Sequence, residues 1–104
     1  MTDLLRVTTS TPDLHSAKKL ARTVVTENLA GDARVIGPVF VVSWNGESEE
    51  YQVVLSTTAA AHSALSAALI RHHPLRNPEI TTVALDAASE GYGAWLREAT
   101  GAEE

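Results

Sequence analysis

The sequence predicts an α+β domain in the order β-α-β-β-α-β, with a short helix behind the last strand. Three observations carry this. Two stretches place apolar residues at helical spacing, four stretches are rich in β-branched residues, and breakers separate them at Ser10-Thr11-Pro12-Asp13, Gly31-Asp32, Asn45-Gly46 and Pro74 to Pro78. Two crossovers joining antiparallel neighbours close that order into a four-stranded antiparallel sheet with both long helices on one face, the ferredoxin-like sandwich.

Leu4 to Thr9 is aliphatic and β-branched and reads as the first strand. Ser10-Thr11-Pro12-Asp13 then supplies a cap, a proline suited to the first helical position and a carboxylate for the helix N-terminus. The first helix points Ala17, Leu20, Ala21, Val24 and Val25 inward and stops at Gly31-Asp32. Arg34 to Trp44 is a long β run interrupted by Gly37-Pro38, which implies an edge, a bulge or a bend. Asn45-Gly46 is a strong hairpin signal. The return strand, Tyr51 to Ser56, places Tyr51, Val53 and Leu55 on one face and Gln52, Val54 and Ser56 on the other. Thr57 or Thr58 caps the second helix, which runs through His62, Leu65, Ala68 and Leu69 to about His72, because Pro74 disfavours helical geometry at His73. Ile80 to Leu85 is the last strand, Ser89 opens the closing helix with Tyr92, Trp95 and Leu96, and residues 101–104 are expected to fray.

A chain of 104 residues holds one core, so residues 1–104 are expected to form a single domain. Thirteen acidic against eight basic residues give a formal charge of −5, and the longest Lys/Arg run is Lys18-Lys19. Such a chain would meet a phosphate backbone against its own field, so no nucleic-acid partner is expected. The longest apolar run, Val39-Phe40-Val41-Val42, is far short of the ~20 residues of a membrane helix, and the N-terminus lacks a signal pattern. No membrane partner and a cytoplasmic location are therefore expected. Cysteine is absent, which removes disulfides, thiolate metal sites and thiol nucleophiles. No G-x-S-x-G turn, phosphate-cradling glycine loop or H-E-x-x-H pair is present, so no catalytic residues are assigned and no enzyme is expected.

The second strand is apolar on both sides, Phe40, Val42 and Trp44 alternating with Val39 and Val41. An antiparallel sheet with one wet face should alternate apolar with polar residues. One short C-terminal helix is too small to cover a whole sheet face, so the pattern predicts association with another subunit.

His72-His73-Pro74-Leu75-Arg76-Asn77-Pro78-Glu79-Ile80 resembles the HP-Y-x-x-PE-I segment that follows the second long helix in the CutA divalent-cation tolerance family. Trp44-Asn45-Gly46-Glu47 is similar to that family's W-x-G hairpin, Glu50 to Thr57 to its E-x-E-V-x-x-x-x-K-T strand, and Tyr92-Gly93-Ala94-Trp95-Leu96 to its Y-x-x-W-L closing helix. Thr9-Ser10-Thr11-Pro12-Asp13 and Leu29-Ala30 resemble its strand-end turn and its L-A-A-C-x-N corner. The resemblance implies a ferredoxin-like homotrimer, related in shape to the PII signalling proteins, with a role in tolerance of divalent metals, copper above all. The chain departs from the pattern at several points. Thr9 stands where the family often has cysteine, Asp32 and Arg34 replace the corner cysteine and asparagine, Leu75 replaces the tyrosine after His-Pro, and the I-P-G bend reads Ile36-Gly37-Pro38.

His72 and His73 are the candidate metal ligands, since neutral imidazole suits copper, zinc and nickel. Successive helical residues point about 100° apart. His72 accordingly falls toward the core side with Leu65 and Leu69, His73 falls toward the edge, and a further ligand must come from Glu79, another acidic group or another subunit. The expected ion is Cu(II) or another divalent cation. His62 lies eleven residues before His73 and is too far along the helix to share an ion with it. Trp44, Tyr51, Phe40 and Val42 are candidates for an inter-subunit cleft or interface. The alternative function is a PII-like sensor or interaction module that holds a small metabolite or a partner's loop in such clefts.

Overall fold

A computed structural model describes residues 3–102. Its elements follow the predicted order: β1 (Leu4–Thr11), α1 (Leu14–Thr26), β2 (Asp32–Ser43), β3 (Gly46–Thr58), α2 (Ala59–His72), β4 (Ile80–Ala84) and α3 (Glu90–Ala99). The four strands form one antiparallel sheet in the order β2-β3-β1-β4, so β1 and β3 lie at its centre.

Residues paired across neighbouring strands share a face, and the register therefore sorts the whole sheet. Val7 pairs with Leu55 and Thr9 with Val53, and Leu55 and Val53 pair in turn with Ala33 and Val35. This face meets α1 through Ala17, Leu20, Ala21 and Val24 and meets α2 through Leu65, Ala68 and Leu69, all buried in one cluster. Val25, expected inward, is only half-buried at the margin of that cluster.

The opposite face is covered at one end only. Leu4, Ser56 and Thr58 are buried there, and fully buried Leu96 of α3 packs toward Gly31. Three further contacts fix α3 in place. Tyr92 donates its hydroxyl to Asp32 Oδ2 at 2.9 Å, the Thr58 and Thr100 hydroxyls bond at 3.0 Å, and Arg97 forms a two-point pair with Asp3 at 2.9 and 3.0 Å. Beyond α3 the face is open: Ile36 and Val83 are 48% and 62% exposed. Helix α3 thus covers part of the second face and leaves the rest bare.

Several boundaries differ from the sequence expectation. Helix α1 is capped by Asp13 itself, whose carboxylate accepts from the Ser16 backbone N–H at 2.7 Å, so Pro12 sits before the cap and not at the first helical position. The helix ends at Thr26, ahead of Gly31-Asp32, because Asn28 adopts φ 62°. The N–H groups of Asn28 and Leu29 then reach the carbonyls of Val25 and Val24, each at 3.0 Å, closing the helix in a Schellman motif with asparagine in the usual glycine position. Gly101, at φ 71°, closes α3 in the same way, with Ala102 N–H on the Arg97 carbonyl at 2.8 Å. Residues 101 and 102 are therefore part of a formed cap, while the rest of the expected frayed tail, 103–104, lies outside the described residues.

In the β2–β3 hairpin Ser43 pairs with Gly46, which makes Trp44-Asn45 the centre of the turn, one residue earlier than expected. Gly46 takes φ 144°, a conformation that suits glycine, and serves as the first residue of β3. Gly37-Pro38, a cis peptide, marks a register shift between Ile36 and Val39, as the interruption in the apolar run implied.

Candidate functional site

The metal candidates lie where α2 gives way to the segment leading into β4. Proline at 74 pushes His73 out of helical geometry, and its backbone is extended at φ −70°, ψ 140°. This reverses the expected orientation of the two histidines. His73 turns inward, and His72, expected on the core side, is exposed at the end of α2.

Both ring nitrogens of His73 are engaged. The Leu75 backbone N–H donates to Nδ1 at 3.1 Å, and Nε2 lies 2.9 Å from the hydroxyl of fully buried Thr9. A backbone N–H can only donate, so Nδ1 carries the lone pair and Nε2 carries the proton. Burial pushes the His73 pKa below the usual 6.5, with a hydrogen bond to the Ser10 backbone acting the other way. The imidazole is therefore a neutral strut holding the 73–79 segment against the end of β1.

The sign of the resulting pH dependence follows from that depression. Above about pH 6.5 the ring is neutral in both folded and unfolded chains; as pH falls from there toward the lower folded value, the unfolded chain takes up the proton first and stability is lost. Urea midpoints measured from about pH 7.5 to 5 are expected to fall for the native chain. The His73→Gln variant is expected to show a shallower slope over that range, and equal slopes would rule out His73 as a source of the loss.

Glu79 is exposed between Pro78 and β4 and, among the described residues, has no hydrogen bond. No group of three or more His, Asp or Glu side chains converges to hold a metal ion among the described residues. His73 has spent both nitrogens, and Thr9 offers a hydroxyl in place of a thiolate. Within one subunit, these residues do not form a complete site for a copper-type ion. His62, half-buried on α2, bonds Thr82 at 2.9 Å and takes no part in the cluster.

The part that the buried threonine hydroxyls play was not read from the sequence. Thr11 donates to the Asp13 carbonyl at 2.8 Å, Thr57 to the Leu29 carbonyl at 2.7 Å, and Thr9 meets His73, so three hydroxyls on the helix-facing side of the sheet fasten three connections. The available signal was their placement, since Thr9 and Thr11 continue the alternation that begins at Val7.

The interface candidates lie on the hairpin. Phe40, Val42 and Trp44 are 64%, 68% and 96% exposed, whereas Tyr51 is half-buried beside the core. Phe40 and Val42 pair with Glu49 and Glu47. By strand alternation they continue the face that carries Tyr51, while Val39 and Val41 continue the opposite one. The hairpin extends past the helices and contributes to a molecule 45 Å long against 25 and 19 Å in the other directions. Trp95 stacks on Tyr92 at 5.7 Å between ring centroids and stays 45% exposed.

Among the described residues no helix is long and apolar enough to cross a membrane. A model of the CutA1 divalent ion tolerance protein family matches residues 5–99. The divalent-cation tolerance protein CutA of Escherichia coli (strain K12 / DH10B) is 35% identical over 89 residues, which span 82% of this chain and 80% of the relative. The crystal structure of CutA from Xylella fastidiosa superposes with a TM-score of 0.90 at 25% identity, covering 95% of this chain and 99% of that one. CutA from Synechococcus elongatus PCC7942 gives 0.89 at 28% identity, covering 96% and 92%. A sequence match running from β1 to the last residue of α3, on a fold shared throughout, places this chain in the CutA1 divalent ion tolerance protein family.

Proposed function

We propose that this protein acts in divalent-cation tolerance as a homotrimer that binds a copper-type divalent ion with ligands from more than one subunit. The observation that carries the assembly is the hairpin, whose Phe40, Val42 and Trp44 are left in water by a chain that buries Val7, Val53 and Leu55 completely. An apolar patch of this kind marks an association surface. The metal reading is supported by family membership and by His72, whose exposed imidazole is free of hydrogen bonds among the described residues. Glu79, also exposed, is the candidate oxygen ligand, and His73 acts behind them by fixing the course of the 73–79 segment.

Calorimetric titration with Cu(II), Zn(II) and Ni(II) tests this. His72→Ala is expected to weaken binding about tenfold or more, while His73→Ala acts through the segment it braces. Unchanged weak binding in both variants would sink the assignment. A second reading, a PII-like sensor holding a small metabolite between subunits, is favoured by the lack of converging metal ligands in one chain. Thermal-shift screening of metabolites against metals separates the two.

A further inference from the structure

The mouth of the groove between α1 and α2 has a chemistry unlike the rest of this acidic chain. The first turns of α1 meet the last residue of α2 around a hollow of about 290 Å³. His15, Lys19 and His72 line it from the two helices, Ser16 and Thr23 add hydroxyls, and Leu20 and Pro74 supply apolar surface.

None of the three basic side chains has an ion-pair partner or a hydrogen bond among the described residues, where the recorded ion pair is Arg97 with Asp3. The carboxylate adjoining His15 is Asp13, and both its oxygens are already taken, Oδ1 by the Ser16 N–H at 2.7 Å and Oδ2 by the Ser16 hydroxyl at 3.1 Å. Thr23 likewise donates to the Lys19 carbonyl at 2.8 Å. What remains facing the hollow is an ammonium, two imidazoles and no unengaged carboxylate. His15 feels the Asp13 charge, yet no carboxylate lines the hollow, so its three basic groups face it together.

A metal ion is a poor occupant, because Lys19 places an ammonium beside the two imidazoles and no carboxylate completes a shell. An anion is a good one: ammonium and imidazole N–H groups form charge-assisted bonds to phosphoryl oxygens, and the N-terminal end of α1 adds its favourable dipole. The volume exceeds that of a bare phosphate, and Leu20 and Pro74 give an organic body something to rest on.

We infer that the α1–α2 groove binds a small phosphomonoester, with its phosphoryl group held by Lys19, His15 and His72 and its organic part against Leu20 and Pro74. This site lies within one subunit and shares His72 with the proposed metal site, so the two occupants would compete for that imidazole.

The test is calorimetry and amide chemical-shift titration of the full chain in chelator-containing, phosphate-free buffer, with glycerol phosphate, inorganic phosphate and glycerol as probes. Saturable binding of glycerol phosphate with shifts at His15, Ser16, Lys19 and His72 is expected, and glycerol should produce none. Equal binding of inorganic phosphate identifies the free ion as the occupant of the same phosphoryl site. Lys19→Ala, a change at an exposed position, is expected to weaken binding about tenfold while leaving the amide spectrum of the rest of the fold unchanged. Absence of saturable shifts at these residues, or undiminished binding by Lys19→Ala, would overturn the inference whatever the metal titrations give.

Discussion

Replacing Phe40 and Val42 together by aspartate is expected to dissociate the proposed trimer to single chains, read as a fall in mass by light scattering to about the 11.1 kDa of one chain. The argument begins from exposure. At 64% and 68% exposed, both side chains contribute little to the isolated subunit, so the fold should survive the change with its circular dichroism intact. Buried at a contact, each apolar side chain contributes roughly 1.5–3 kcal/mol, and the replacements would oppose association further by placing uncompensated carboxylates there. Those carboxylates would also stand opposite Glu47 and Glu49, adding like charge to a hairpin that already carries it. Three contacts weakened at once in a symmetric assembly leave little to hold it. A variant that keeps the native mass would exclude this hairpin as the association surface, and a native chain that is itself monomeric would overturn the trimer.

The same hairpin shows what the sequence made legible. Strand alternation put Val53 and Leu55 on one face, which the structure buries, and apolar residues on both sides of β2 pointed to association; the structure leaves Phe40 and Val42 in solvent. Local turn chemistry was less certain, because more than one residue can meet its demands. Gly31 and Asn28 are both candidates to end α1, and asparagine took the left-handed position. Gly31 was then left for another purpose, its close packing against α3. The two histidines were reversed for a similar reason. A helical wheel extended one residue too far assigns His73 a direction that ψ 140° cancels, and the pull toward Thr9 depends on two residues 64 positions apart. Contacts of that range leave no periodic trace. The His15–His72 hollow was hidden likewise, since it arises only when the start of one helix is laid beside the end of the other.

Gly31→Ala should be among the most destabilising single-atom additions available in this chain. A Cβ at Gly31 would overlap Leu96 Cδ1, lie 3.1 Å from the Trp95 ring and come within 3.5 Å of the Ala99 Cβ, three points on one face of α3. Leu96 is fully buried and has little room to swing aside. Restricting the unfolded chain would by itself favour alanine by about 0.4–1 kcal/mol, whereas overpacking costs about 1–3 kcal/mol, so the clash should win. Leu96→Ala should cost about 2–5 kcal/mol through the cavity it leaves. The decisive comparison is the double variant, because removing the leucine makes space for the new methyl group: Gly31→Ala should be markedly less harmful in the Leu96→Ala background, by about 0.5 kcal/mol or more. Urea unfolding at a fixed chain concentration measures all four corners of that cycle, the concentration being held because an assembling protein gains stability with it. Strict additivity, or a stabilising Gly31→Ala, would mean that α3 is not seated on Gly31 through Leu96. A coupled result would establish that the corner after α1 is glycine because the closing helix lies against its backbone. The end of the sheet face covered by α3 would then depend on that one close approach.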